Sequence, residues 1–262
     1  SNYGIVAMTT IYITYRDGSW GDPLTWDNGI APPETVPPND AIVTIRHNVT
    51  LDIARTVKAI TFDEAATGCG VSGTPVLTVS SGSIGAVKTA IVGVPVALGA
   101  TEGFLNVASG YTLVMNGAIS GTGGLTKTGL GKAVLAGANT YTGTTTAAMG
   151  TLAPGADNVL GTGNLVINDG VFLAAEYANR TVTNPAIFAG SFTVEPGNDL
   201  TFAGNVSLAA SCTVTVNPAN VVIQGIISET GGSRTLTKHG TGALHLLLNN
   251  GFSGGFTLAG GT

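Results

Sequence analysis

Residues 125–151 occur a second time as residues 236–262, at a constant offset of 111 positions and without a gap. Leu125-Thr126-Lys127 matches Leu236-Thr237-Lys238, and Gly129 and Gly131 match Gly240 and Gly242. Further on, Leu135 matches Leu246, Asn139 matches Asn250, Tyr141 matches Phe252 and Gly143 matches Gly254. A chain that repeats a strand-and-turn unit stacks that unit, because a single copy cannot bury its own apolar face. In a barrel, one turn would have no reason to recur with such fidelity. The strand, corner and second strand held in about 27 residues have the length expected of one coil of a solenoid. The repeat therefore constrains architecture strongly, and it names no reaction.

Composition agrees with a stacked β body. Charged residues make up 10% of the 262 residues, against about a quarter in an average protein. Gly occurs 39 times, and most of the remainder is Thr, Val, Ala, Leu and Asn. β-Branched residues suit pleated surfaces, and Gly and Asn suit tight turns. Disorder is excluded by an apolar share of 44% and a net charge of only −5. No basic stripe runs along the chain, so neither nucleic acid nor an anionic membrane is an expected partner. Cys69 and Cys212 cannot build a disulfide scaffold and read as two small buried thiols. No run of about 18 apolar residues is available to insert in a membrane. Met8 reads as a natural start, with residues 1–7 upstream of it; alternatively, a signal was removed before Ser1.

Along the chain, residues 9–15 alternate as a first strand. A loop follows at Asp17-Gly18-Ser19-Trp20-Gly21-Asp22-Pro23, then Trp26, Pro32-Pro33 and Pro37-Pro38. Such prolines prevent regular ladder pairing. Residues 1–40 are thus expected to form an N-terminal cap, with Trp20 and Trp26 covering the end of a stack. The alternative for these rings is a platform for sugars. Residues 41–262 form the expected solenoid body, with repeat copies at 117–152 and 225–262. Its short strands fall near 41–45, 49–53, 57–62, 76–79, 91–98, 105–107, 112–115, 133–135, 164–167, 171–174, 192–194, 200–202, 206–208, 212–216, 221–223 and 243–248. In the second copy Leu244, Leu246 and Leu248 share the expected inward face, opposite Ala243, His245 and Leu247. No stretch keeps a 3.6-residue period, so the chain is expected to be all-β.

The run 123–131 (Gly-Gly-Leu-Thr-Lys-Thr-Gly-Leu-Gly), the strand ending at Leu135, the turn Asn139-Thr140-Tyr141-Thr142-Gly143 and the closing Gly150-Thr151-Leu152 resemble the passenger-associated transport repeat of autotransporter passengers and similar bacterial surface proteins. Gly261-Thr262 begins the same closing in the second copy. The resemblance covers about a fifth of the chain. It implies a right-handed parallel β-helix and a scaffold rather than a catalyst. Trp20, Trp26 and Pro32-Pro33 resemble the opening of such proteins. The second copy stops inside its own unit, which suggests a piece of a longer protein.

Chemistry-bearing residues are sparse. A glycosidase on a β-helix face needs two carboxyls about 5–10 Å apart, and Asp157, Asp169, Glu176, Glu195 and Asp199 are the acids available in the rear half. Turn-capping through the local backbone is the ordinary role of such acids. His47, His239 and His245 lack metal-ligand spacing, and no calcium nonapeptide is present, so no metal and no cofactor is expected. No nucleophile elbow and no phosphate loop occurs, so no catalytic residue is assigned. Lys127 and Lys238 read as charges that block lateral sheet pairing while their stems cover apolar surface. A ligand-binding row is the alternative. Tyr141 and Phe252 read as corner packing, or as sugar-stacking rings if they face outward. Three functions follow in order: a non-catalytic display module of a surface adhesin or passenger, a phage fibre or tailspike component, and a polysaccharide-degrading enzyme. Partners would be surface glycans or other copies of the chain, with a trimer expected for a phage fibre. The location would be extracellular or at the cell surface, or the virion in the phage case.

Overall fold

The computed structural model describes residues 11–14, 16–22, 25, 42–63 and 69–262. Among these residues there is no α-helix, and every pairing between strands is parallel. The strands form a 13-stranded, a 12-stranded and a 4-stranded sheet, called here the first, second and third. Most sequence neighbours lie on different sheets and pair with strands one coil away, which is the topology of a parallel β-solenoid of about ten coils. At roughly 4.8 Å per rung the stack is about 50 Å long.

The strands are short because each coil must turn several corners. Between Leu105 and Glu229 the register advances by 20–22 residues per coil, through Lys127, Ala147, Ile167, Phe188 and Leu208. A coil is therefore shorter than the 27 residues expected from the repeat. The repeat overruns one coil because Leu125 is already stacked under Thr145. The expected strand at 91–98 is likewise two strands, Ala90–Val92 and Val96–Ala97, separated by the corner at Gly93-Val94-Pro95. Leu248, expected on the inward face, lies past the end of Ala243–Leu246 and is half exposed.

Inward residues form one continuous apolar core. Phe188 of the first sheet meets Phe192 of the second edge-on at 4.8 Å and Phe202 of the third at 5.5 Å. Such edge-to-face contacts add to simple burial. The described parts of the expected cap already belong to the stack. Ile11–Ile13 pairs with Ile42–Ile45, and Gly18–Ser19 pairs with Asn48–Thr50. The prolines at 32–33 and 37–38 lie outside the described residues.

Candidate functional site

The most specific side-chain arrangement in the molecule lies inside the repeat. Lys127 occupies an inward position of the first sheet, in a column otherwise made of Leu105, Ala147, Ile167, Phe188 and Leu208. It is 1% exposed. Its Nζ donates to the carbonyl oxygens of Thr128 (2.7 Å), Gly129 (2.8 Å) and Met149 (3.1 Å). An ammonium has three protons and no acceptor capacity, so three carbonyls satisfy it completely. Two of them belong to its own corner and one to the corner of the next coil. Lys238 repeats the arrangement with the carbonyls of His239 (2.8 Å), Gly240 (2.9 Å) and Gly260 (2.9 Å), and it too is fully buried. Burial lowers the pKa of Lys127 to about 8 and lowers that of Lys238. Neither reading of these lysines as outward charges survives. They are internal clamps that tie successive corners together.

The glycines shape the clamp. Gly129 and Gly240 have φ of 72° and 82°, a region only glycine enters without strain, and each presents its carbonyl to the lysine. Gly131 and Gly242 do not share that conformation. They are required because a Cβ would strike the carbonyl oxygens of Ala108 and Ala219 in the coil below.

Asn139 continues the theme. It is buried, its Oδ1 accepts from the Ile119 N–H at 2.7 Å, and its Nδ2 donates to the Val159 carbonyl at 2.7 Å. One side chain thus spans three coils. Asn250 accepts from the Ile227 N–H in the same manner. Tyr141 is fully buried; its hydroxyl lies 2.6 Å from Thr145 Oγ1, and burial raises its pKa. Phe252 packs against the core while partly exposed.

The two copies do not sit on the same faces. Leu125–Thr128 and Lys132–Leu135 lie in the first and second sheets, whereas Leu236–His239 and Ala243–Leu246 lie in the second and third. Five register steps from Lys127 arrive at Glu229, and Lys238 lies nine residues further on, one face round. The motif is a transferable corner that works at more than one corner of the coil.

The residues weighed for chemistry are dispersed. Asp157 and Asp169 accept the backbone N–H of Thr181 and Ser191, each at 2.9 Å, and Asp199 accepts that of Asn220 at 2.8 Å. These acids cap the next coil rather than their own turn, a role that only stacking reveals. Glu176 and Glu195 do converge. Lys132 Nζ lies 3.4 Å from Glu176 and 3.2 Å from Glu195, and Thr151 Oγ1 donates to Glu195 at 3.1 Å. Burial works against the Lys132 charge, but the two carboxylates outweigh it and raise its pKa. The cluster borders a small outward apolar patch of Val134, Ala153 and Ala174. Among the described residues no three potential ligands gather for a metal; His239 and His245 are exposed and separate. Trp20, at 1% exposure, and Tyr141 present no ring face to a sugar, and Trp26 lies outside the described residues. Cys69 and Cys212 are free and buried, and burial pushes both thiols up to about 11.

The fold and its clamped corners define a repeat-built parallel β-solenoid in which the recurring residues serve the stack. The family model for the passenger-associated transport repeat matches residues 125–153 and 236–262, so the chain carries two copies of that repeat. It is also 57% identical over 49 residues to the adhesin BmaC autotransporter of Brucella suis biovar 1 (strain 1330), a match that covers 18% of this chain and 1% of that protein. No solved structure matches the chain.

Proposed function

We propose that the chain is a non-catalytic display segment of a bacterial cell-surface protein, a stiff β-solenoid rod of the adhesin-passenger kind. One observation carries the reading. The residues with distinctive chemistry that the two repeat copies share, Lys127/Lys238 and Asn139/Asn250, spend their polar atoms on the backbone of neighbouring coils. A repeat retained for binding or catalysis would keep its recurrent polar groups facing outward. Glu176 and Glu195 favour the enzymatic reading by their convergence. However, the Lys132 ammonium lies against both carboxylates, where a glycosidase needs one carboxyl protonated and the other free. The phage-fibre reading gains nothing from the family match or from the autotransporter relative.

The test uses the full-length protein in its native host. A Thr126→Cys variant, at a partly exposed strand position, is treated on intact cells with a membrane-impermeant maleimide. Labelling without lysis is the expected result, and labelling only after lysis overturns surface display. Polysaccharide depolymerisation that disappears in Glu176→Gln/Glu195→Gln would overturn the non-catalytic reading.

A further inference from the structure

The outward face of the second sheet carries a feature that stacking does not require. A cavity of about 200 Å³ is lined by Asp169, Ser191, Thr193, Thr213 and Thr215. Its floor is a two-column array, since Thr193 pairs in register with Thr215 on the adjacent coil while Thr213 stands two residues earlier on its strand and Ser191 just before the start of Phe192–Val194. Such neighbours stand about 4.8 Å apart between rungs and roughly 6.6 Å along a strand. Ser191 Oγ accepts the Thr213 N–H at 3.0 Å and keeps its own proton to give. The hydroxyls of Thr193, Thr213 and Thr215 make no hydrogen bond to any described residue. Asp169 uses only Oδ1, accepting the Ser191 N–H, and its Oδ2 stands at the rim without a protein donor. Phe172, 42% exposed, pairs in register with Thr193 from the coil below, so an exposed aromatic residue stands next to the hydroxyl column, just outside the cavity lining.

We infer that this concavity is a subsite for an uncharged sugar ring of a surface glycan. The chemistry matches on three counts. A hexose offers several hydroxyls that both donate and accept, and threonine hydroxyls answer in either sense. A carboxylate oxygen without a protein donor accepts from a sugar hydroxyl and repels an acidic sugar. An exposed aromatic beside a polar patch gives the apolar C–H face of a pyranose a surface to lie on. The volume holds about one ring and falls below the usual range of ligand pockets, so affinity would be modest and would depend on repeated contacts along a polymer or among clustered copies. This site replaces the buried Trp20 and Tyr141 as the carbohydrate-facing surface. The inference rests on the surface-display reading for its biological setting, but the binding itself does not depend on where the protein resides.

The purified 262-residue chain, fluorescently labelled and clustered on beads, is applied to a printed array of neutral and sialylated mammalian oligosaccharides. Thr213→Val/Thr215→Val keeps two β-branched strand residues and removes the hydroxyls, and Phe172→Ala removes the ring from an exposed position. The expected result is binding to neutral glycans that falls at least tenfold in each variant while melting temperature stays unchanged. No binding to any neutral glycan, preference for sialylated ones, or binding that survives in both variants would overturn the inference. Such a failure would leave surface labelling of the intact cell unaffected, so the two readings fail separately.

Discussion

Lys127 poses the sharpest question at the scale of a residue, because a charged side chain stands in a column of Leu, Ala, Ile and Phe. Burying an ammonium is costly unless hydrogen bonds replace its water. Here three carbonyls do so, and those carbonyls would themselves be left without donors if the lysine were removed. Lys127→Met keeps most of the volume and stem and deletes the donors. The expected cost is about 3 kcal/mol, from leaving buried acceptors unsatisfied, read as a lower melting temperature and urea midpoint. A stability equal to wild type would mean that the clamp contributes nothing net. The buried thiols give a second residue-scale prediction. The folded pKa of about 11 for Cys69 and Cys212 lies above the unfolded value near 8.5. The native state then holds protons that the unfolded chain releases, so this stability is present below about pH 8.5 and is lost as pH rises towards 11. Lys127 works in the opposite sense, since its lowered folded pKa makes stability rise with pH between about 8 and 10.4. The comparison that isolates the thiols is therefore wild type against Cys69→Ala/Cys212→Ala, which share the lysine. Between pH 8.5 and 10.5 the wild type should lose on the order of 2 kcal/mol per thiol relative to the variant. Parallel pH profiles would contradict this.

The elements explain both what the sequence revealed and what it concealed. Strands such as Phe192–Val194, Leu200–Phe202 and Val206–Leu208 were legible because apolar residues alternate cleanly with Thr or Ser between turn formers. Leu125–Thr128 and Leu236–His239 were not legible as strands, because the second inward position of each is a lysine and the apolar alternation breaks there. Thr145–Ala147 was hidden in a similar way, since its inward Thr145 spends its hydroxyl on Tyr141 and the Leu160 carbonyl. The third face is hard to read in sequence because several coils cross it with a corner rather than a strand, and Asn139 supplies the hydrogen bonds there. The partners of Asn139 lie 20 residues away in either direction, a separation that no local pattern encodes. The outward hydroxyl cavity was equally invisible, because it is assembled from residues two coils apart. Asn139→Ala should destabilise by about 2 kcal/mol, leaving one N–H and one C=O without partners. Asn139→Asp should cost more at neutral pH, because a buried carboxylate would then face the Val159 carbonyl. It should regain stability on acidification, when the protonated acid recovers a donor and its raised folded pKa favours the native state. If the aspartate variant were the more stable of the two at pH 7, the bridging role would be wrong.

At the scale of the whole molecule, each coil touches mainly its two neighbours, so stability is a sum of local terms and damage need not spread evenly. The two repeat copies make this testable, because the same residue type sits in the interior of the stack and at its described end. Leu135 is fully buried with coils on both sides, whereas Leu246 is partly exposed and packs from one side. Beside it the inward positions Phe256 and Leu258 lie open, at 45% and 55% exposure, above the buried Leu236 and Lys238. Leu135→Asp puts an unpaired charge between two coils and should cost several kcal/mol, removing amide hydrogen-exchange protection from strands 103–154 together. Leu246→Asp can turn towards solvent. It should release protection only in strands 220–258 and leave Gly103–Val107 and Thr112–Met115 as slow to exchange as in wild type. Equal loss of protection throughout for both variants would mean that the solenoid unfolds as one cooperative block. The clamps at Lys127 and Lys238 would then be fasteners of the whole rod rather than of the coils they join.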